Sequence, residues 1–349
     1  MKKDMKIIKK LPELLLPWYA KNARTLPWRR DKAPYHVWVS EIMLQQTRVE
    51  AVIGYYARFL EALPDIRALA EAPEAQLLKL WEGLGYYNRV RNLQKAAQVI
   101  LEKHGGVFPQ NYEEILALPG IGAYTAGAIS SICFEQPHAG VDGNVLRILS
   151  RMTASDVPID SDETKKDFAS KLEMVYPQGQ CGAFTQALME LGACVCTPKS
   201  PSCDLCPARE ICKARKQNKM TDYPVRLPKK EKKLQQLSVF LLECDGHFAL
   251  TQRDRGGLLS GLWQLPNTQQ VFSDADAAVA YIAAQGAAPK RLVRTMDRVH
   301  IFTHIKWEMR CYHILCNKMH RDYTWVRPEE QRKSYALPTA FRMFFEDLE

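Results

Sequence analysis

Long apolar runs are missing from this 349-residue chain. The first candidate follows the basic stretch from Met1 to Lys10, is broken by Pro12 and Glu13, and ends at Pro17. It is too short for the apolar region of a signal peptide and far below the ~20 residues of a membrane helix. The expectation is therefore a cytosolic protein with no membrane partner. Internal repeats and long low-complexity segments are also lacking, and no β-hairpin signal interrupts the first 214 residues or so. That excludes repeat arrays and points to a helical first part.

What remains has the composition of an ordinary globular protein, 46% hydrophobic and 25% charged residues, long enough for two domains. Forty-eight Lys and Arg face 39 Asp and Glu, a net charge of +9, with a pI near 9.0. The residues before and after Met220 are each net basic. A polyanion such as nucleic acid fits that charge, although dispersed charge also serves solubility. Of ten cysteines, five lie between Cys194 and Cys212. In a reducing compartment such bunching indicates metal binding rather than disulfides.

From about Leu11 to Ala214 apolar residues recur at three- and four-residue spacing. Lys216 to Gln236, with Pro224, Pro228 and a Lys-rich run from Lys229 to Lys233, has linker composition. Beyond it, Ser238–Glu243 and His247–Gln252 flank Asp245-Gly246 as a hairpin, and Val299–Cys316 is a second strand pair. The Ala-rich stretch from Asp274 to Gln285 predicts a helix between them, making the second domain α+β.

Cys196-x6-Cys203-x2-Cys206-x5-Cys212 supplies four thiolates within 17 residues, enough to close a tetrahedral set around zinc or a [4Fe-4S] cluster. Zinc ribbons use two C-x2-C knuckles and this chain has one, which favours the cluster. Cys194 and the remaining five cysteines are read as packing residues. Leu118-Pro119-Gly120-Ile121-Gly122 sits between two helical runs. Gly120 and Gly122 permit a tight hairpin whose N–H groups can face a phosphate. Glu41 stands among Val39, Ile42, Met43 and Leu44, where desolvation raises a carboxyl pKa, and Asp142 follows Val141 and precedes Gly143. Paired carboxylates of this kind suit glycosidic bond cleavage, one as acid and one as anion, although Asp142 also reads as a helix cap.

The hairpin, Val141-Asp142-Gly143-Asn144-Val145 and the cysteine pattern resemble the helix-hairpin-helix DNA glycosylase superfamily, which includes endonuclease III and the MutY family. Trp38-Val39-Ser40-Glu41-Ile42-Met43-Leu44-Gln45-Gln46-Thr47 is similar to the MutY branch. The resemblance implies that Glu41 protonates adenine N7, that Asp142 stabilises the sugar cation at C1′, and that Tyr124 assists. Tyr124 occupies the position where endonuclease III-type enzymes carry a Schiff-base lysine, so a bifunctional glycosylase/lyase is the disfavoured alternative. Gln46 and Tyr86 match residues that enter the DNA helix during base extrusion, Tyr86 from the turn Gly83-Leu84-Gly85-Tyr86-Tyr87. Lys199, the one charged residue between Cys196 and Cys203, is expected to meet phosphate, and Lys213, Arg215, Lys216 and Lys219 form a further basic patch.

The segment Gly256–Pro266 resembles a Nudix (MutT) domain, without the glutamate-rich metal helix; Asp274 and Asp276 are isolated. Phe302-Thr303-His304 matches the Phe-Ser-His loop with which the MutY family reads 8-oxoguanine, Thr keeping the hydroxyl. The expectation is a monomeric, monofunctional adenine glycosylase acting on double-stranded DNA with A:8-oxoguanine or A:G mispairs, located in the cytoplasm at the nucleoid. Its fold is a multi-domain one: an all-α helix-hairpin-helix glycosylase domain over 1–218 bearing a [4Fe-4S] cluster, a linker over 219–235, and an α+β Nudix-like domain over 236–349.

Overall fold

The computed structural model describes residues 2–228 and 231–346. Met1, Lys229 and Lys230 of the expected basic stretches, and 347–349, lie outside the described residues. Packing divides the chain into two units, Met1–Ala72 with Asn88–Pro228, and Pro73–Tyr87 with Lys229–Glu349. The fifteen residues Pro73–Tyr87, inside the helical part of the sequence, thus pack with the C-terminal sheet. Nothing local in their sequence announces that.

The first unit holds α1 (Lys2–Ile8), α2 (Leu11–Asn22), α3 (Pro34–Leu44), α4 (Val49–Ala62) and α5 (Ile66–Glu71); α6 (Glu74–Leu80) belongs to the second. The first continues with α7 (Asn88–Lys103), α8 (Tyr112–Leu116), α9 (Ala123–Phe134), α10 (Gly143–Thr153), α11 (Asp162–Glu173), α12 (Cys181–Cys194) and α13 (Lys213–Lys216). Helix α1 lies before the region where the helical pattern was expected to start. Helix α10 carries Val145, Ile148, Leu149 and Met152 at helical spacing on its apolar face, and its polar Arg147, Ser150 and Arg151 are buried as well. Helices α3 and α9 are buried nearly all round and pack on each other, so they form the centre of the unit. No described helix is long and apolar enough to cross a membrane.

The second unit is a mixed sheet of β1 (Lys233–Cys244), β2 (His247–Gln252), β3 (Trp263–Gln264), β4 (Asn267–Thr268), β5 (Pro289–Ile301), β6 (Ile305–Cys316) and β7 (Thr324–Val326), with α14 (Ala275–Ala284), α15 (Pro328–Ser334) and α16 (Thr339–Arg342). The strand path is β3-β2-β1-β6-β5, with β4 on β1 and β7 on β2. The hairpin at Asp245-Gly246 forms as the sequence indicated, with both turn residues at positive φ, and α14 forms within the expected Asp274–Gln285 stretch, where the Asp274 side chain adds a cap that was not foreseen. Two boundaries differ from the sequence reading. Strand β1 begins inside the expected linker, because Lys233 onward pairs in parallel with Ile305 onward of β6. Strand β5 begins ten residues earlier than read, held along its length by β6. Both gains come from non-local pairing, to which local composition is blind. Leu237, Val239 and Leu241 face one apolar layer and Phe240, Leu242 and Cys244 the other, so β1 is buried on both faces.

Candidate active site

Central helices α3 and α9 bring Glu41 and Tyr124 together, and the Tyr124 phenol donates to Glu41 Oε2. Glu41 is 5% exposed. Burial pushes its carboxyl up to about 7, the nearby Asp142 carboxylate adding to the rise and the tyrosine hydrogen bond opposing it. Tyr124 is itself held well above the usual phenol value by burial and by the Glu41 and Asp142 carboxylates. It remains a proton donor at neutral pH.

Asp142 is the N-cap of α10, its Oδ1 accepting from the backbone N–H of Asn144 (2.9 Å) and Val145 (2.8 Å), while Oδ2 accepts from Asn144 Nδ2 (2.7 Å). The capping role anticipated as a competing reading is therefore realised, and it fixes this carboxylate at the wall of a cavity of about 170 Å³ that Glu41 and Tyr124 also line. Burial raises the Asp142 carboxyl, and the N–H donors pull it down. No lysine lines this cavity among the described residues.

One wall was missed by sequence reasoning. Glu190, fully buried, accepts from the Arg24 backbone N–H and guanidinium (2.7 Å at Nε) and from Arg29 Nη2 (2.8 Å). Burial alone would raise this carboxyl, but the two guanidinium groups hold it down at about 2. The signal was available: Glu190 is the single charged residue of an otherwise apolar helix, the same anomaly that singled out Glu41. Helix α12 reaches the site because Gly192 lets it approach; a Cβ there would stand 2.6 Å from Asn144 Cβ.

Gln46 is exposed just beyond α3, with φ of 58°. Arg89 Nη1 donates to the carbonyls of Ile42 (2.9 Å), Met43 (3.1 Å) and Gln45 (2.6 Å), binding the carbonyl end of α3 and setting the turn that carries Gln46. No local signal links Arg89 to a helix 45 residues upstream. In the hairpin, Gly120 has φ of +76° and packs where a Cβ would stand 2.6 Å from Asn92 Cβ. Gly122, exposed, is the N-cap of α9 and makes no side-chain cap hydrogen bond.

Cys196, Cys203, Cys206 and Cys212 line one small cavity. Buried Arg151 donates to Cys196 Sγ (3.3 Å) and to the carbonyls of Thr197 (2.7 Å) and Pro198 (2.8 Å). An all-sulfur donor set beside a buried cation fits an anionic iron–sulfur group. Lys199 is exposed on the loop these bonds hold. The basic patch after Cys212 is smaller than expected, since Lys213 pairs with Asp4 (2.8 Å) and Arg215 with Asp204 (3.5 Å), leaving Lys216 and Lys219 exposed.

In the second unit, Phe302-Thr303-His304 forms the β5–β6 turn. Phe302 is half-buried, its ring edge-on to Trp307 at 4.8 Å. It anchors a tip on which Thr303 and His304 are exposed. Lys232 Nζ and the Lys233 N–H bind the Phe302 and His304 carbonyls at 2.6 and 2.9 Å. Tyr86, 49% exposed, shares a 2.9 Å hydrogen bond with Thr303 Oγ1.

Residues 39–174 match the HhH-GPD superfamily of base excision DNA repair proteins, and residues 238–347 match the NUDIX domain. The chain is 32% identical to the adenine DNA glycosylase of Mus musculus, over 95% of this chain and 77% of that one. The chain belongs to the adenine DNA glycosylase (MutY) family. It is a DNA glycosylase of base excision repair. Adenine DNA glycosylase of Buchnera aphidicola subsp. Baizongia pistaciae is 33% identical, over 88% of this chain and 86% of that protein. A thermostable thymine-DNA glycosylase superposes with a TM-score of 0.55 at 26% identity, covering 62% of this chain and 98% of that chain. Endonuclease III in a non-covalent DNA complex shares the fold, with a TM-score of 0.53 at 22% identity over 62% of this chain and 97% of its own.

Proposed function

We propose that this MutY-family chain is a monofunctional glycosylase that removes adenine mispaired with 8-oxoguanine or guanine in duplex DNA. The observation that carries it is the convergence of Glu41, Tyr124 and Asp142 on one cavity that no lysine lines among the described residues. Extrusion brings the adenine out of the stack, with Gln46 and Tyr86 entering the helix in compensation and the hairpin at Gly120–Gly122 and Lys199 holding phosphates. Glu41, poised near neutrality, gives its proton to N7. The N9–C1′ bond then breaks with its electron pair going to the base, and cationic character develops at C1′. Asp142 stabilises that cation, helped by the phenol oxygen of Tyr124. Water adds at C1′ and returns a proton to Glu41, leaving adenine and an abasic site. A phenol forms no imine, so strand cleavage does not follow.

Cys196, Cys203, Cys206 and Cys212 hold a [4Fe-4S] cluster in this reading. What supports it is that the four thiols line one cavity beside the buried Arg151 cation, and that their spacing holds one C-x2-C pair rather than the two knuckles of a zinc ribbon. Bound there, the cluster supplies a structural tie that shapes the Lys199 loop, because glycosidic hydrolysis transfers no electrons. In the second unit Thr303 and His304 read the N7–H and O8 edge that distinguishes 8-oxoguanine from guanine.

The test is excision on A:8-oxoguanine and A:G duplexes with and without subsequent alkali. A monofunctional enzyme yields strand breaks only after alkali. Breaks without alkali identify a lyase, and none after alkali a binder.

A further inference from the structure

Alongside the Tyr86 hydrogen bond to Thr303, a second tie in the same unit lies among groups the chemistry does not use. Glu82 Oε1 accepts from the Leu337 backbone N–H at 2.8 Å, and its Oε2 pairs with Lys79 Nζ at 2.6 Å. Lys79 Nζ also faces the carbonyls of Gln331 (3.4 Å) and Tyr335 (3.3 Å) at the C-terminal end of α15. Both side chains are largely buried, which strengthens charge-assisted bonds that water would weaken at the surface. Leu337 is fully buried in the apolar layer that also packs Phe302 and Trp307, the layer beneath the 302–304 turn. The clasp therefore binds the end of α6 to the same rigid body that supports the turn.

What the clasp holds is a turn of left-handed backbone. Immediately after Glu82, Gly83 (φ 96°), Gly85 (φ 70°) and Tyr86 (φ 49°) all take left-handed backbone, which the two glycines adopt without strain. Within it the Trp81 indole donates to the Gly85 carbonyl at 3.1 Å and Leu84 and Tyr87 are buried, while Glu82 at one end and the Tyr86–Thr303 hydrogen bond at the other tie it to the rest of the second unit. The chain on either side, up to Ala72 and from Asn88, belongs to the glycosylase unit.

We propose that Glu82, with Lys79, is a positioning residue that sets lesion discrimination, by holding the Tyr86 turn in register with the Thr303 loop so that a base read by the loop governs how Tyr86 enters the helix. This rests on the lesion-reading role given to Thr303 and His304. Glu82 touches no reacting atom; its effect passes through Tyr86.

The experiment compares single-turnover excision on A:8-oxoguanine and A:G duplexes for the full chain. Glu82→Ala should lower the ratio of the two rates about five- to tenfold, the scale of one charge-assisted hydrogen bond, mainly through the 8-oxoguanine duplex. Glu82→Gln keeps an oxygen for the Leu337 N–H and should retain most of the ratio. Should Glu82→Ala not fold, Lys79→Met replaces it and should lower the ratio about threefold, as expected for losing part of the clasp. Thermal melting separates loss of fold from loss of register. Equal losses on both duplexes, or an unchanged ratio in a folded variant, overturn the proposal. A Thr303→Ala, His304→Ala variant separates the two layers of the reading. If that variant loses the ratio and Glu82→Ala does not, the clasp alone fails; if neither does, the reading loop fails with it.

Discussion

The Tyr124 phenol donates its hydrogen bond to Glu41, not the reverse. A carboxyl that accepts from tyrosine would ordinarily ionise more readily, yet burial outweighs the bond and leaves Glu41 near 7. Its geometry thus keeps an acid half-protonated at neutral pH while fixing which oxygen is free to face a base.

Glu41→Gln should bind an A:8-oxoguanine duplex normally and lose excision, since an amide accepts the tyrosine bond but gives no proton. In the parent enzyme single-turnover excision should fall as pH rises through about 7, where Glu41 deprotonates. The sign for stability follows from the raised value. Glu41 imposes no penalty below pH 4.5, a penalty that grows as pH rises to about 7, and a constant one above. Glu41→Gln should therefore gain on the parent by up to about 3 kcal/mol between pH 4.5 and pH 8, read by denaturant titration. Retained excision by this variant ends the assignment.

Asp142→Asn keeps a good helix cap and should stay within about 1 kcal/mol of the parent in stability while losing turnover. Asp142→Ala should lose turnover and also about 1 kcal/mol of stability. Unimpaired single-turnover excision by the Asn variant would leave Asp142 with its capping role only.

Glu190→Gln should weaken both excision and stability, by about 2 kcal/mol for the latter at pH 7, because Arg24 and Arg29 lose their charged acceptor. The carboxyl is held at about 2, so its contribution is present above pH 4.5 and lost as pH falls toward 2. The stability gap between parent and variant should close over that acidic window. A gap independent of pH would mean that Glu190 acts through packing.

Protein prepared anaerobically should be brown, with a broad visible absorption band and about four irons per chain. Cys206→Ser should lose colour, and with it affinity for duplex of any sequence. Stoichiometric zinc without iron refutes the cluster.

Thr303→Ala with His304→Ala should lose more on A:8-oxoguanine than on A:G, by about five- to 150-fold in the ratio, the range of one or two specific hydrogen bonds. Matched losses on both duplexes would reduce the loop to a structural turn.

The candidate site residues and most local elements are legible in the sequence. Glu41, Asp142, the two hairpin glycines and the spacing of four cysteines are legible because each is a local anomaly: a charge among apolar neighbours, glycines between helices, thiols at ligand spacing. The Asp245-Gly246 hairpin and the Ala-rich α14 helix are likewise written in adjacent residues. Tertiary structure alone decided which anomalies meet. Glu190 is as conspicuous in α12 as Glu41 is in α3, but only the approach of α12 at Gly192 puts it on the same cavity wall. Arg89 closes α3 from 45 residues away, and β1 and β5 gain their extra length from a partner strand. The fifteen residues Pro73–Tyr87 join the C-terminal unit through Glu82 and Lys79, whose partners lie about 250 residues downstream. Short-range patterning records the conformation a segment prefers, whereas long-range contacts depend on shape and burial, which arise only when the whole chain has packed.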